Sequence, residues 1–267
     1  MTRAIGHRFW ATLGREALSR LDRDRTVVIV PVAAIEQHGP HLPFGVDRIL
    51  GEGLLVEMFH RLAGDVPAVA VPQIAVGKSD EHQGFSGTLS LSPETLIGVL
   101  SEIGTSIAWS GFRKILFLSS HGGNSECISL AARRLRLQHD LFAVSGHWPR
   151  FGVPEGLFSE EELRFGIHAG AIETSMMLAL RPDLVDMTKA GDFRSHGQDM
   201  AEEMTWLGMG GSFPLGWRTE DLNPEGAVGS ADTATAEAGQ AVIAHQAAAC
   251  AELVAEISQF DLGRLSR

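Results

Sequence analysis

Thr26-Val27-Val28-Ile29-Val30-Pro31-Val32-Ala33 decides the fold of this chain. The run is rich in β-branched residues and carries no polar side chain between 27 and 35. A strand with one wet face alternates apolar and polar residues. A strand covered on both faces reads apolar throughout, as in a parallel sheet between helices. The same run leads straight into Glu36-Gln37-His38-Gly39-Pro40-His41. The carboxyl end of a buried strand therefore delivers titratable side chains, and ligands in open α/β sheets bind at such ends.

Outward from this strand, helical and strand periods alternate. Leu50, Leu54, Met58 and Leu62 recur every fourth residue, one stripe of a helix. Residues 68–71 form a second short strand. Ser92-Pro93-Glu94 has the chemistry of a helix start, and Leu96, Leu100, Ile103 and Ile107 continue it. Lys114–Ser119 is a third strand, Ile128, Ala131 and Leu135 stripe a helix, and 141–145 is a fourth strand. Ile172, Met176 and Leu180 stripe another helix. Between 187 and 229 the pattern dissolves into a Gly-rich excursion, and an Ala-rich helix spans about 231–257. Strand–helix alternation predicts an α/β fold with a mainly parallel sheet and helices on both faces. With no repeat or linker, residues 1–267 read as one domain.

Composition narrows the function. Lys plus Arg number 22 against 33 Asp plus Glu, a net charge of −11. Such a chain repels phosphate backbones, and no local basic patch offsets this, so no nucleic-acid partner is expected. The longest unbroken apolar stretch is far short of the roughly 20 residues of a membrane span, so no membrane partner is expected. The first 25 residues hold six Arg and no apolar core, so no secretory signal is expected. Two cysteines form no disulfide framework, which fits a reducing, cytoplasmic setting. Tyr is absent and cannot serve in any mechanism.

Each expected strand or loop end carries ligating or titratable groups. The first offers Glu36 and His38, with Asp47 soon after. The second offers Lys78, Ser79, Asp80, Glu81 and His82; the third, His121; the fourth, His147 and Trp148. A further loop supplies His168 before the helix with Glu173. Residues i and i+2 of an extended segment point to one side, so Glu36 and His38 are spaced for a metal. Imidazole and carboxylate without thiolate suit Zn, Mn or Fe(II). Residues 72–79 imitate a phosphate-binding loop, but Pro72 replaces the first Gly and Asp80-Glu81 follow where phosphate would sit.

Taken together, Pro31-Val32-Ala33-Ala34-Ile35-Glu36-Gln37-His38-Gly39-Pro40-His41-Leu42-Pro43 with Asp47, Gly77-Lys78-Ser79-Asp80-Glu81-His82, Ser120-His121-Gly122-Gly123-Asn124, His168-Ala169-Gly170-Ala171-Ile172-Glu173-Thr174-Ser175 and Asp221-Leu222-Asn223-Pro224-Glu225-Gly226 resemble the creatininase family of metal-dependent amidohydrolases. The resemblance implies a three-layer α/β/α fold, two divalent ions (Zn, Mn or Fe) and a homo-oligomer, often a hexamer. It implies Glu36, His38, Asp47 and His121 as ligands, with Asp47 bridging. Creatininase takes a further ligand two residues after the equivalent of His121; here that position is Gly123, and Glu173 is expected instead, with Glu126 as its competitor. Creatininase also has Tyr after that His, where this chain has Gly122, so creatinine is disfavoured as substrate.

The expected activity is hydrolysis of a C–N amide bond of a small molecule, cyclic amide or formamide, by a metal-bridging hydroxide, the bond not being a peptide bond. His168 is the candidate acid/base, since imidazole titrates near neutrality. Ser79 and His82 are expected to orient substrate and Trp148 to wall the pocket. The alternatives are a peptide-processing member linked to redox-cofactor maturation, a transferase or isomerase using the same metals, and a non-catalytic metal- or ligand-binding oligomer.

Overall fold

A computed structural model describes residues 5–266. Arg3, counted above among the N-terminal charges, lies outside them. Along the chain come α1 (Arg15–Ser19), β1 (Val27–Val32), α2 (Val46–Arg61), β2 (Ala68–Ala70), α3 (Pro93–Trp109), β3 (Lys114–Ser119), α4 (Ser125–His139) and β4 (Phe142–His147). Then follow α5 (Glu160–Phe165), α6 (Ala171–Leu180), β5 (Asp192–Phe193), α7 (His196–Glu203), β6 (Leu207–Gly208), β7 (Phe213–Pro214), α8 (Thr219–Leu222), β8 (Gly229–Ser230) and α9 (Ala236–Gln259).

β1 to β4 form one sheet in the order β2-β1-β3-β4, every pair parallel. Val28 pairs with Ile115 and with Val69, so β1 is central and all six of its residues are buried. Val27 and Ile29 face one apolar core with Leu54, Met58, Met177 and Val254; Val28, Val30 and Val32 face another with Leu96, Leu100, Ile128 and Leu135. Helices α2, α6 and α9 thus cover one face and α3 and α4 the other. This is the three-layer α/β/α arrangement, and the unbroken apolar run is its cause.

Local chemistry fixes the helix starts. The Ser92 hydroxyl accepts from the Thr95 N–H, with Pro93 in the first turn. Thr235 likewise caps α9, which therefore starts five residues after the expected 231. α9 is long and apolar enough to cross a membrane by those measures alone, and half of its most apolar stretch is buried in the core. Scattered acids and amides hid that length from a search for unbroken apolar runs. The expected loop 187–229 contains two helices and paired two-residue strands; β5 joins β8 antiparallel, Phe193 opposite Gly229. Elements this short carry too few residues to show a period.

The parallel strands all point their carboxyl ends the same way. The turns after β1 and β3 therefore lie side by side, with α2 and α6 starting beside them.

Candidate metal centre

Glu36 and His38 leave the end of β1. Gly39, at φ +66°, then turns the chain; a Cβ there would lie 2.7 Å from that of Ala227. This turn lets Asp47, in the first turn of α2, point back beneath them. His121 follows β3, and Glu173 sits in the first turn of α6. Glu36, His38, Asp47, His121 and His168 are all buried, while the Glu173 side chain is 24% exposed.

These groups converge. His38 Nε2 lies 3.8 Å from Glu36 Oε1, 3.9 Å from Asp47 Oδ2 and 3.8 Å from Glu173 Oε2. His121 Nδ1 lies 3.1 Å from Glu36 Oε2 and 3.9 Å from Asp47 Oδ2. His168 Nδ1 lies 3.7 Å from Glu36 Oε1. Among the described residues, three overlapping sets could each hold an ion: Glu36, His38 and His168; Glu36, Asp47 and His121; His38, Asp47 and Glu173. Ligands roughly 2.0–2.2 Å from one ion stand about 3–4 Å from one another, which is the spacing here.

The far nitrogens of the three rings explain the orientation. Each donates to a backbone carbonyl: His38 Nδ1–H to Glu36 O at 3.1 Å, His121 Nε2–H to Lys78 O at 2.9 Å, His168 Nε2–H to Gln37 O at 2.8 Å. A carbonyl only accepts, so these nitrogens carry the protons and the opposite nitrogens face the centre. Among the described residues, Glu36 Oε1, His38 Nε2 and Asp47 Oδ2 are buried and find no hydrogen-bond partner. Three orphaned polar atoms at one focus would cost about 1–3 kcal/mol each with nothing to answer them. They are the atoms a cation would engage, so the residues fit a metal.

Electrostatics agree. Burial raises Asp47 well above the ordinary carboxylate range, and the Glu36 charge adds to this. Glu173 is raised too, chiefly by burial. Burial opposes ionisation of Glu36, but the rings of His121, His82 and His38 outweigh it and hold that carboxyl well below the usual range. Burial, reinforced by His168, keeps His38 well below the usual imidazole range. Burial opposes the charge on His121 as well, yet Glu36 keeps that ring well above it. A positive ion among the carboxylates would relieve their mutual repulsion.

The other expected residues divide. His82 reaches the cluster: its Nε2 is 3.7 Å from Glu36 Oε1, and its ring stands 4.3 Å from that of His168. The Ser79 hydroxyl donates to Glu36 Oε2 and is fully buried, so it holds a carboxylate in place. Trp148 lies in the apolar core beside Phe151 and is 2% exposed; the structure does not bring it to the cluster. Glu126 is exposed on α4, away from the other groups.

Three supporting residues had escaped the sequence reading. Gln37 Nε2 donates to Gly226 O and to His82 Nδ1, tying three loops together. Thr219, on α8, reaches the same His82 nitrogen at 2.9 Å. Glu162 accepts from the backbone N–H groups of Ala171, which opens α6, and of Ser230, in β8. Burial pushes its carboxyl up despite those bonds. Beside it Ala169 takes a left-handed φ of +54° and donates its N–H to Glu173 Oε2, a strained turn of the kind found at functional sites. Gln37 lies inside the Glu36–His38 motif, which was a signal; Glu162, in an acidic run, reads only as a solvated face.

The creatininase family model, described as creatinine amidohydrolase, matches residues 11–254. A mycofactocin precursor peptide peptidase of Mycobacterium ulcerans (strain Agy99) is 33% identical over 251 residues, spanning 91% of this chain and 90% of that protein. The creatinine amidohydrolase of Pseudomonas putida is 34% identical over 204 residues, 70% of this chain and 75% of that one. A solved creatinine amidohydrolase (creatininase) superposes with a TM-score of 0.76 at 26% identity, covering 95% of this chain and 99% of that one. Solved creatininases include one described as Mn and a variant described as Zn–Zn type. The peptidase relatives correct one expectation: chains like this are not confined to C–N bonds other than peptide bonds. From motif, fold and matched length alike, this chain belongs to the creatininase family.

Proposed function

We propose that this chain is a metal-dependent hydrolase that cleaves an amide C–N bond in a peptide or peptide-derived substrate. Glu36, His38, Asp47, His121 and Glu173 hold two divalent ions, Zn or Mn before Fe. The observation that carries this reading is the convergence of three buried, unpartnered atoms, Glu36 Oε1, His38 Nε2 and Asp47 Oδ2, on one focus. The peptide substrate rests on the peptidase relative matching nine-tenths of the chain, and on Gly122 and the lack of Tyr, which remove a contact expected for creatinine.

When bound, divalent ions supply Lewis acidity for the carbonyl and for the attacking water. The chain's own residues do the rest. His168 keeps its Nε2 proton on Gln37 O, leaving Nδ1 to take a proton from the attacking water and return it to the leaving nitrogen. His82 accepts at Nδ1 from Gln37, so its Nε2–H faces inward and can donate to the substrate carbonyl. Ser79 fixes the Glu36 carboxylate. Burial of these rings excludes bulk water and strengthens each interaction.

The test is a chelated and reconstituted sample offered a panel of peptides beside creatinine and formamides, read by mass spectrometry. Metal-dependent peptide cleavage is expected. A fully metal-loaded sample that turns over only the small amides would overturn the peptide reading.

A further inference from the structure

The segment between β2 and α3 makes a second layer behind His121. Glu81 is mostly buried, its side chain 11% exposed. One carboxylate oxygen, Oε2, takes the Lys78 ammonium at 2.6 Å, and the other, Oε1, stands 3.4 Å from His121 Nε2. The same nitrogen lies 2.9 Å from Lys78 O. On the opposite edge of the ring, Nδ1 faces Glu36 at 3.1 Å.

Gly123 makes this approach possible. A Cβ at that position would come closer than 3 Å to both Glu81 Oε1 and His121 Nε2. Any side chain at 123 would push Glu81 off the ring or displace the ring itself. The missing side chain and the inward carboxylate are therefore one feature.

A carboxylate that served only as partner to Lys78 has no need to be buried against an imidazole. Lys78 already has Asp80 Oδ1 at 2.8 Å. Turning Glu81 inward leaves one oxygen for the ring. Outer carboxylates of this kind fix the tautomer and the angle of a metal-binding His, and losing one costs about 10–100-fold in metal affinity.

We propose that Glu81 is a positioning residue: it occupies the space left by Gly123 and, with Lys78 O, holds a proton on His121 Nε2 so that Nδ1 is aimed at the metal centre. This rests on the ligand reading above, but half of it is testable without metal.

The experiment compares the wild-type chain with Glu81→Ala, Glu81→Gln and Lys78→Met. Two readouts are used: Zn affinity by chelator competition, and the His121 Nε2–H signal in 1H–15N spectra of chelated and Zn-loaded protein. Expected are a slowly exchanging Nε2–H in the wild type with and without Zn, and its loss in Glu81→Ala with Zn binding about 10–100-fold weaker. Glu81→Gln, which keeps an acceptor oxygen, should recover part of both, and Lys78→Met should move them less than Glu81→Ala. Zn affinity within twofold of wild type in Glu81→Ala, with the Nε2–H signal unchanged, would overturn the proposal. So would a wild-type spectrum with no proton on Nε2, a result needing no variant to fold. A wild-type chain that binds no Zn would defeat the ligand reading instead, and the chelated spectra would still judge Glu81.

Discussion

The His38 imidazole and the Glu173 carboxylate face each other, Nε2 to Oε2 at 3.8 Å, although one leaves β1 and the other opens α6. Asp47 Oδ2 lies 3.9 Å from the same nitrogen. Glu173 is therefore in a position to complete an ion site that Gly123 cannot. Glu173→Gln keeps the shape and loses the charge, so one of two ions should bind about ten-fold or more weakly. Glu126→Gln, on an exposed residue, should change nothing. Metal titrations of both variants check this, and the reverse ordering would remove Glu173 from the ligand set.

Asp47 belongs to two of the three candidate ion sets. Removing it should empty both sites. Asp47→Ala is expected to lose nearly all metal by elemental analysis and nearly all activity; a variant still loaded with two ions would refute the bridging role.

His168 poses a sharper choice. Its Nδ1 also fits an ion set, with Glu36 and His38. If it moves protons, His168→Ala should keep both ions and lose about 10²–10⁴-fold in turnover. Loss of metal in step with turnover would make it a ligand instead.

Several buried imidazoles resist charging. Burial, with a smaller push from His168, lowers His41 to about 4 and His82 to about 3. Burial and the His121 charge lower His147 to about 4. In the unfolded chain such rings take up protons below about 6.5. A depressed folded value means the stabilisation is fully present above that pH and is lost as pH falls toward 4 and then 3. These three rings therefore destabilise the chelated protein as pH drops from 7 to 4.5, while the raised carboxyls of Asp47, Glu173 and Glu162 and the raised His121 ring act in the opposite direction. His41→Asn, followed by thermal melting of the chelated protein, should melt lower at pH 7, where the Thr174 bond is lost, yet lose less on acidification. A His41→Asn variant that loses as much melting temperature as the wild type between pH 7 and 4.5 would count against a buried, neutral His41.

Trp206 is 75% exposed and Phe213 59%, edge to face at 6.1 Å on the Gly-rich arm. Exposed aromatics grouped in this way mark contact surfaces. Light scattering is expected to give a mass above one chain, and Trp206→Ser with Phe213→Ser to lower it. A wild-type monomer at micromolar concentration would rule out a subunit contact there.

The sequence by itself determined the layers and the donors. The apolar run of β1 requires cover on both faces, so parallel strands between helices were legible, and β3 falls at its expected residues, Lys114–Ser119. Glu36, His38, Asp47 and His121 were legible as titratable groups beside strand ends because residue type and nearness to a strand end are local facts; their reading as a ligand set, with Glu173 added to it, came from the family resemblance. Only the tertiary structure decided how they meet. Which nitrogen of each ring faces inward depends on carbonyls of other loops, Lys78 O for His121 and Gln37 O for His168. Trp148 follows a strand as the site histidines do, yet its ring fills the core. Glu162 and Thr219 act across distant segments, with no period or motif to announce them. Local pattern sets an element and its chemistry; orientation, burial and charge are set by neighbours remote in the chain, and those exist only once the layers have packed.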